Sequence, residues 1–599
     1  MIYAGLLNFS ASSITEKHLS KALLSFTQVS PTVIHKNALI LCYGKLSKTQ
    51  DMDDVWENDS SILLGRIFEK EPSCVLKKET FKELSHLRKE DVLKKLWGKY
   101  IYIHIPKETS QFDIVIDATG QLPFYYYIFQ NGNILFASDI EIIFKVLSQK
   151  PDYNWPYLCS YLVYGNSNSI ETPFKNIFEL PPACFLKITP HERKTSLFWN
   201  PLDSYKNSNS PKNDAVNVLQ STLKPWIEPY QTVCVSLSGG LDSSSLVYCL
   251  KDLVKKDQTL TALNYFHSHI KSSNELIHAR KVCEETGIEL IEVDASNSLP
   301  FNPSQKKHPM RPSKPFPGLV SLNWLETIFN NIPATGSFTF ISGHGSDHIF
   351  MRPPSQKSIS DYIIEKGLKG SKDQFKDIAQ FYRDPLFSLF KLNLRTLFSH
   401  FLRMKKEKAH LKDQIKDLPK WIKKELFQNT SSPYSHPIDD ALPQDTLPGK
   451  KDQIDALFQG FSSIQIEMMD QADPTFYPFL YEPVIEFALS FPTYELFKNG
   501  YDRYPLRKSV SDTFKTDTVW RRDKSQTTGL FQLGIKKNLD HILSLCFEGH
   551  FVKLKLVDKE SLHKTITLLG DGDINHLWPL IHLVSVEMFL RYWDERSMK

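Results

Sequence analysis

One stretch limits the fold more than any other. The apolar run "TVCVSL", Thr232 to Leu237, meets Ser238-Gly239-Gly240-Leu241-Asp242-Ser243-Ser244, and "SSLVYCLKDLVKK" then continues with helical character. A buried strand, a glycine loop and a helix in direct succession belong to a sheet with helices on its faces. The rhythm repeats downstream. "LTALNYF" is the next strand and "SNELIHARKVCEETG" the next helix, with "IELIEVD" and "FTFISG" as later strands. A parallel sheet is expected within an α/β unit spanning 215–599.

The loop also limits the chemistry. Glycines let backbone approach a ligand, and a helix N-terminus offers free N–H groups with partial positive charge. Ser236, Ser238, Gly239, Gly240, Leu241, Asp242 and Ser243 therefore form a candidate phosphate cradle. The GxxxxGK[ST] pattern of a Walker loop is absent. A carboxylate at Asp242 would repel phosphate unless a cation lay between them. Mg²⁺ bridges carboxylate and phosphate oxygens, so the loop implies Mg²⁺ with a di- or triphosphate. The bland alternative is a Ser/Gly turn with an Asp cap. A second loop, "ISGHGSDHIF", also follows a strand and supplies Gly343, His344 and Asp347. Asp347 is read as the second Mg²⁺ carboxylate, with a helix N-cap as its bland alternative.

"SLSGGLDSS" resembles the pyrophosphate loop of ATP pyrophosphatase-type ligases, which activate a carboxylate as an acyl-adenylate. "SGHGSDHIF" is similar to the "SGxGSDxxF" stretch of the asparagine synthetase branch. By that resemblance Asp242 and Asp347 pair at the metal. His344 stands where asparagine synthetases carry Glu and β-lactam synthetases Tyr; an imidazole suits a general base near neutral pH. The alternative is a His that only packs, and His348 is less well placed. "YPFLYEPVIEFALSFP" resembles a third family segment, with Tyr481 at the family's Asp and Glu482 beside it. "GYDRYPLRKSV" and "VWRRDKSQTTG" put Arg503 where the family often has Lys, and imply that Lys524 steadies the developing anion.

The first third reads as antiparallel sheet. "KYIYIHIP", "FDIVIDA", "FYYYIF" and "ILFAS" are β-branched or aromatic runs separated by turn residues. This part, about 1–200, resembles a glutaminase-like domain of Ntn type, followed by a polar linker from Trp199 to Ala215. Glutamine-using members carry a cysteine directly after the initiator Met; here that position is Ile2 and the first cysteine is Cys42. A degenerate glutaminase-like domain is expected, making no ammonia.

The segment 355–450 is rich in Lys and Phe, helical by period and basic. It reads as a solvated helical insertion, or more sharply as a docking surface for a peptide, a partner protein or a membrane face. A net charge of +4 over 599 residues implies no dominant nucleic-acid footprint and leaves local basic patches open. Eight scattered cysteines without a CxxC pair disfavour a disulfide scaffold or a zinc site. With neither a signal-peptide pattern nor an apolar run of about 18 residues, a cytoplasmic protein is expected.

With no internal ammonia source, the acceptor amine is expected to come with the substrate. "DATGQLPFYYY" and "LPKWIKKELF" resemble stretches of lasso-peptide cyclases, which adenylate an Asp or Glu side chain of a precursor peptide and close a macrolactam with its N-terminal amine, and the long helical insertion offers surface for a peptide. That resemblance implies a leader-binding protein and a leader peptidase as partners. The alternatives are an ammonia-using asparagine synthetase, a β-lactam-type synthetase, or a non-catalytic nucleotide-binding scaffold.

Overall fold

A computed structural model describes residues 1–599 apart from 28, 46–53, 71–72, 84–88, 106–110, 166–168, 207–213, 271–273, 307–309, 333–335, 403–417, 424, 429–435, 463–474, 523–526 and 598–599. The first third is built on two antiparallel sheets. One runs Ile177–Glu179, Tyr125–Ile128, Ile134–Ala137, Ile2–Leu7, Leu39–Gly44, Thr32–Lys36. The other runs Arg193–Leu197, Cys184–Ile188, Phe112–Ile116, Leu96–His104, Ser61–Glu69, Asp54–Asn58, with Cys74–Val75 beside Ser61–Glu69.

Strand alternation explains the layering, because successive side chains point to opposite faces. From Ile2–Leu7, Tyr3 and Leu7 enter the core with Ile62, Ile101 and Phe124, whereas Ile2, Ala4 and Leu6 pack with residues of the helices Glu16–Leu24, Ile140–Leu147 and Trp155–Tyr164. Both faces are covered, and that is why these strands are apolar throughout rather than alternating.

The second unit is a five-stranded parallel sheet in the order Glu289–Asp294, Thr259–Phe266, Thr232–Ser236, Phe338–Ile341, Thr475–Phe476. Four of these strands are legible in the sequence; Thr475–Phe476, only two residues long, is not. The chain starts this sheet at the central strand and later adds strands on both sides. The order therefore reverses between Thr232–Ser236 and Phe338–Ile341, the crevice where open α/β sheets bind ligands. Both sequence loops leave the carboxyl ends of these two strands.

The insertion carries the helices Ser358–Lys366, Ser371–Tyr382, Leu386–Phe401, Glu425–Gln428 and Ile438–Ala441, and the helix Pro448–Ser462 begins at its end. The stretch expected as a linker is not all loose. It carries the helix Leu202–Lys206, whose Leu202 is buried.

The two units share core rather than touching at a rim. Phe68 and Trp97 of the first pack with Trp226 and Tyr481 of the second. Buried Arg66 lies over the Trp226 ring at 4.4 Å and donates to the carbonyls of Pro225 and Trp226 and to the Tyr230 hydroxyl. A cation from one unit thus caps the carboxyl end of the helix Ala215–Ile227 in the other, where free carbonyls carry partial negative charge.

Candidate active site

The phosphate loop is shaped by its own small residues. Gly239 has φ +72°, and a Cβ there would meet the Ala279 nitrogen and the His278 carbonyl carbon at 2.6 Å. Glycine is required both by the left-handed backbone and by the close approach of the helix Leu276–Thr286. The serines tie the loop to itself: the Ser238 amide donates to Ser243 Oγ at 3.2 Å and the Gly240 amide to Ser238 Oγ at 3.3 Å. Gly343 brings in the second loop. A Cβ on it would stand 2.9 Å from the Ser243 nitrogen and 3.1 Å from the Asp242 carbonyl carbon.

That approach aims the two aspartates at one point. Arg503 Nη1 lies 2.6 Å from both carboxylate oxygens of Asp242 and 2.6 Å from Asp347 Oδ1. Arg503 Nε also donates to Asp502 at 3.1 Å, and Asp502 is held in turn by Arg352 and Arg507. Burial works against the Asp502 carboxylate, yet Arg503, Arg507 and Arg352 outweigh it and keep its pKa below the usual value. Burial likewise opposes the charge on Arg503, and Asp242, Asp347 and Asp502 together push its pKa up. A single cation therefore touches both metal-candidate carboxylates.

The two aspartates are donors of the kind Mg²⁺ takes, but Arg503 Nη1 stands where they converge, so Mg²⁺ would bind both only with Arg503 displaced. Two hard carboxylates face one point, and Mg²⁺ is commonly held by one or two carboxylates with phosphate oxygens and water completing the shell. Among the described residues no group of three or more His, Cys, Asp or Glu forms a cage that would hold a metal by itself.

One cleft is lined by Ser236, Ser238, Gly240, Leu241, Asp242, Ser243, Gly343, His344 and Arg503, nine of the positions singled out in the sequence. His344 is half-buried at its edge, its ring centroid 6.0 Å from that of Tyr477 and 5.3 Å from that of His348. Lys524 lies outside the described residues. Tyr481, at the family's Asp position, does not belong to the cleft: it is buried and stacks on Trp226. Its neighbour Glu482 pairs with Lys70 at 2.6 Å.

Four further charged groups line the cleft that the motifs left unassigned: Glu275, Arg352, Arg507 and Arg521. Arg521 donates to the Gly239 carbonyl at 3.2 Å and to Glu275 at 2.9 Å, so it braces the phosphate loop from outside. Arg507 and Arg521 stood inside the quoted "YPLRKSV" and "VWRRDKSQ" stretches, which was the available signal. Four arginines around one loop give the cleft the cationic walls a polyphosphate needs.

Residues 223–455 and 468–591 match the asparagine synthase family, and residues 79–199 match a glutamine amidotransferase domain. The chain belongs to the asparagine synthase family. Family membership supports an ATP-dependent amide-forming ligase carrying a glutaminase-like first unit. A curated relative is the microcin J25-processing protein McjC of Escherichia coli, 22% identical over 444 residues that cover 72% of this chain and 74% of that protein. Among solved structures, the allosteric regulatory enzyme of purine biosynthesis is matched at 10% identity with a TM-score of 0.23, over 51% of this chain and 82% of that one. The Bacillus subtilis glutamine phosphoribosylpyrophosphate amidotransferase is matched at 10% identity with a TM-score of 0.22, over 61% and 78%.

The glutaminase-like unit holds no activated thiol. Position 2 is Ile, buried in the first strand. Burial raises the pKa of Cys42, Cys74, Cys159 and Cys184, that of Cys159 to about 12. The four cysteines of the second unit, Cys234, Cys249, Cys283 and Cys546, are raised in the same way. The thiolate is the attacking form, and burial disfavours it at all eight.

Proposed function

We propose that this chain is an ATP-dependent lasso-peptide cyclase, a macrolactam synthetase. It would activate an Asp or Glu side chain of a precursor peptide as an adenylate, releasing pyrophosphate, and close the ring with the peptide's N-terminal amine, releasing AMP. The observation that carries the reading is the convergence of Asp242 and Asp347 on one point beside the Ser238–Ser243 loop, in a chain without an activated cysteine. The similarity to McjC, a protein named for processing microcin J25, favours a peptide as substrate.

In this reading the loop amides and serine hydroxyls orient the polyphosphate, and Asp242 with Asp347 would hold Mg²⁺. Bound there, Mg²⁺ would neutralise phosphate charge and favour departure of pyrophosphate. Arg352, Arg507 and Arg521 add fixed positive charge on the same wall. His344 at the cleft edge takes the proton of the attacking amine, and Lys524 is proposed to stabilise the developing charge. Both reacting ends belong to one peptide, so binding a folded precursor supplies the entropic advantage of an intramolecular reaction.

The proposal includes a degenerate glutaminase-like domain over 1–200, a ligase domain over 215–599 with its basic insertion at 355–450, and a cytoplasmic setting with a leader-binding protein and a leader peptidase as partners. No helix among the described residues is long and apolar enough to cross a membrane. The test is incubation of purified protein with ATP, Mg²⁺ and a precursor peptide carrying an acidic residue several positions from its amino end. A product lighter by one water, with AMP and pyrophosphate formed in equal amounts, is expected. Asparagine made from aspartate and ammonium, with the peptide unchanged, would overturn the reading.

A further inference from the structure

The helix Leu386–Phe401 turns two unlike faces outward and inward. Its inner face is anchored. Buried Leu389 packs with Ile359, Ile378 and Phe497. Asn393, also buried, accepts from Ser360 Oγ at 2.6 Å and donates to the carbonyls of Gln356 and Leu389. The outer face holds large apolar side chains. Phe387 is 75% exposed, Phe398 65% and Phe401 69%, and Leu386, Phe390, Leu394 and the following Leu402 are also exposed.

At about 100° per residue, Phe387, Phe390, Leu394, Phe398, Phe401 and Leu402 fall within an arc of roughly 120°. Over 16 residues this stripe runs about 24 Å. Since the inner face already fixes the helix, folding does not require the outer one to be apolar. The charge is one-sided as well. No Asp or Glu occurs from Pro385 to Leu402, while Lys391 and Arg395 are exposed along one edge of the stripe.

We infer that this helix docks the protein on an anionic lipid surface, lying in the plane of the interface. Aromatic and leucine side chains on one arc of a cationic helix match the chemistry of peripheral membrane helices. Lys391 and Arg395 can lay their stems beside the rings and direct their charges at lipid phosphates. The stripe is the convex outer surface of a single helix, a shape suited to a planar acyl boundary. The inference stands on this helix alone and is independent of the ligase reading.

The test is co-sedimentation of the full chain with phosphatidylcholine vesicles, with and without phosphatidylglycerol. The parent protein should pellet with the phosphatidylglycerol vesicles, less at high salt and far less with phosphatidylcholine alone. The variant Phe387→Ser/Leu394→Ser/Phe398→Ser should lose binding by about ten-fold or more. Lys391→Glu/Arg395→Glu keeps the apolar stripe and should lose the preference for phosphatidylglycerol, which keeps the test open should the triple variant misfold. Equal pelleting of parent and both variants, or none by the parent, would overturn the inference. So would a parent dimer in sedimentation velocity that the triple variant converts to monomer without lipid binding; the face would then belong to a second copy.

Discussion

Arg503→Met tests the electrostatic reading of the site. The parent side chain is 3% exposed and joins Asp242, Asp347 and Asp502. Methionine removes the charge while keeping an unbranched chain of comparable reach. Asp502 would still be held by Arg352 and Arg507, and Asp347, a third exposed, would be partly screened by water. The cost therefore falls mainly on Asp242, 17% exposed, whose carboxylate loses both its contacts to Arg503. Leaving one partner of a buried pair costs about 3–5 kcal/mol, and partial exposure puts the expected loss near the lower end, about 3 kcal/mol. Urea unfolding without nucleotide measures it. Mg²⁺ with ATP should then stabilise the variant more than the parent, because a cation there meets two carboxylates that have lost Arg503. Adding Asp242→Asn to the variant should return most of the lost stability. Parent-like stability of Arg503→Met, together with an unchanged response to Mg²⁺, would refute the argument.

Three more outcomes are expected. Gly239→Ala forces a side chain into a left-handed backbone and against the helix Leu276–Thr286; it should cost about 1–3 kcal/mol in thermal unfolding and abolish ATP-dependent pyrophosphate release. Arg66→Ala leaves the carbonyls of Pro225 and Trp226 without their cation and should cost about 3 kcal/mol, read from denaturant midpoints. His436 is buried and His582 half-buried, and desolvation pushes each pKa down to about 4. Between pH 6.5 and 4 the unfolded chain takes protons that the folded one refuses, so stability falls with pH across that window by about 3 kcal/mol per histidine; His436→Gln should flatten part of the slope in pH-dependent unfolding.

The parts of the site that were legible are local. The Ser238–Ser243 and Gly343–Asp347 loops announce themselves because each strand, glycine and helix start is written within about ten residues. Arg503 was found through resemblance, but its place between the aspartates was not legible. It lies 261 residues from Asp242 and 156 from Asp347, and only the packed fold brings them together. Arg352, Arg507 and Asp502 were hidden for the same reason: a charged residue in sequence carries no mark of its partner. The union of the two units was equally silent. Phe68 and Trp97 carry no mark of a partner in the second unit, and Tyr481 was singled out only for standing at the family's Asp position, yet the three meet around Trp226. Thr475–Phe476 was too short to carry a strand period.

In the proposed reaction the paired loops activate a peptide carboxylate at the α-phosphorus of ATP. The most direct measurement is exchange of labelled pyrophosphate into ATP in the presence of the precursor peptide. The account predicts exchange that requires Mg²⁺ and the peptide's acidic side chain, and that disappears both with an Asn or Gln peptide and in Asp242→Asn. Exchange indifferent to the acidic residue, or ADP with inorganic phosphate as the products of ATP, would contradict it.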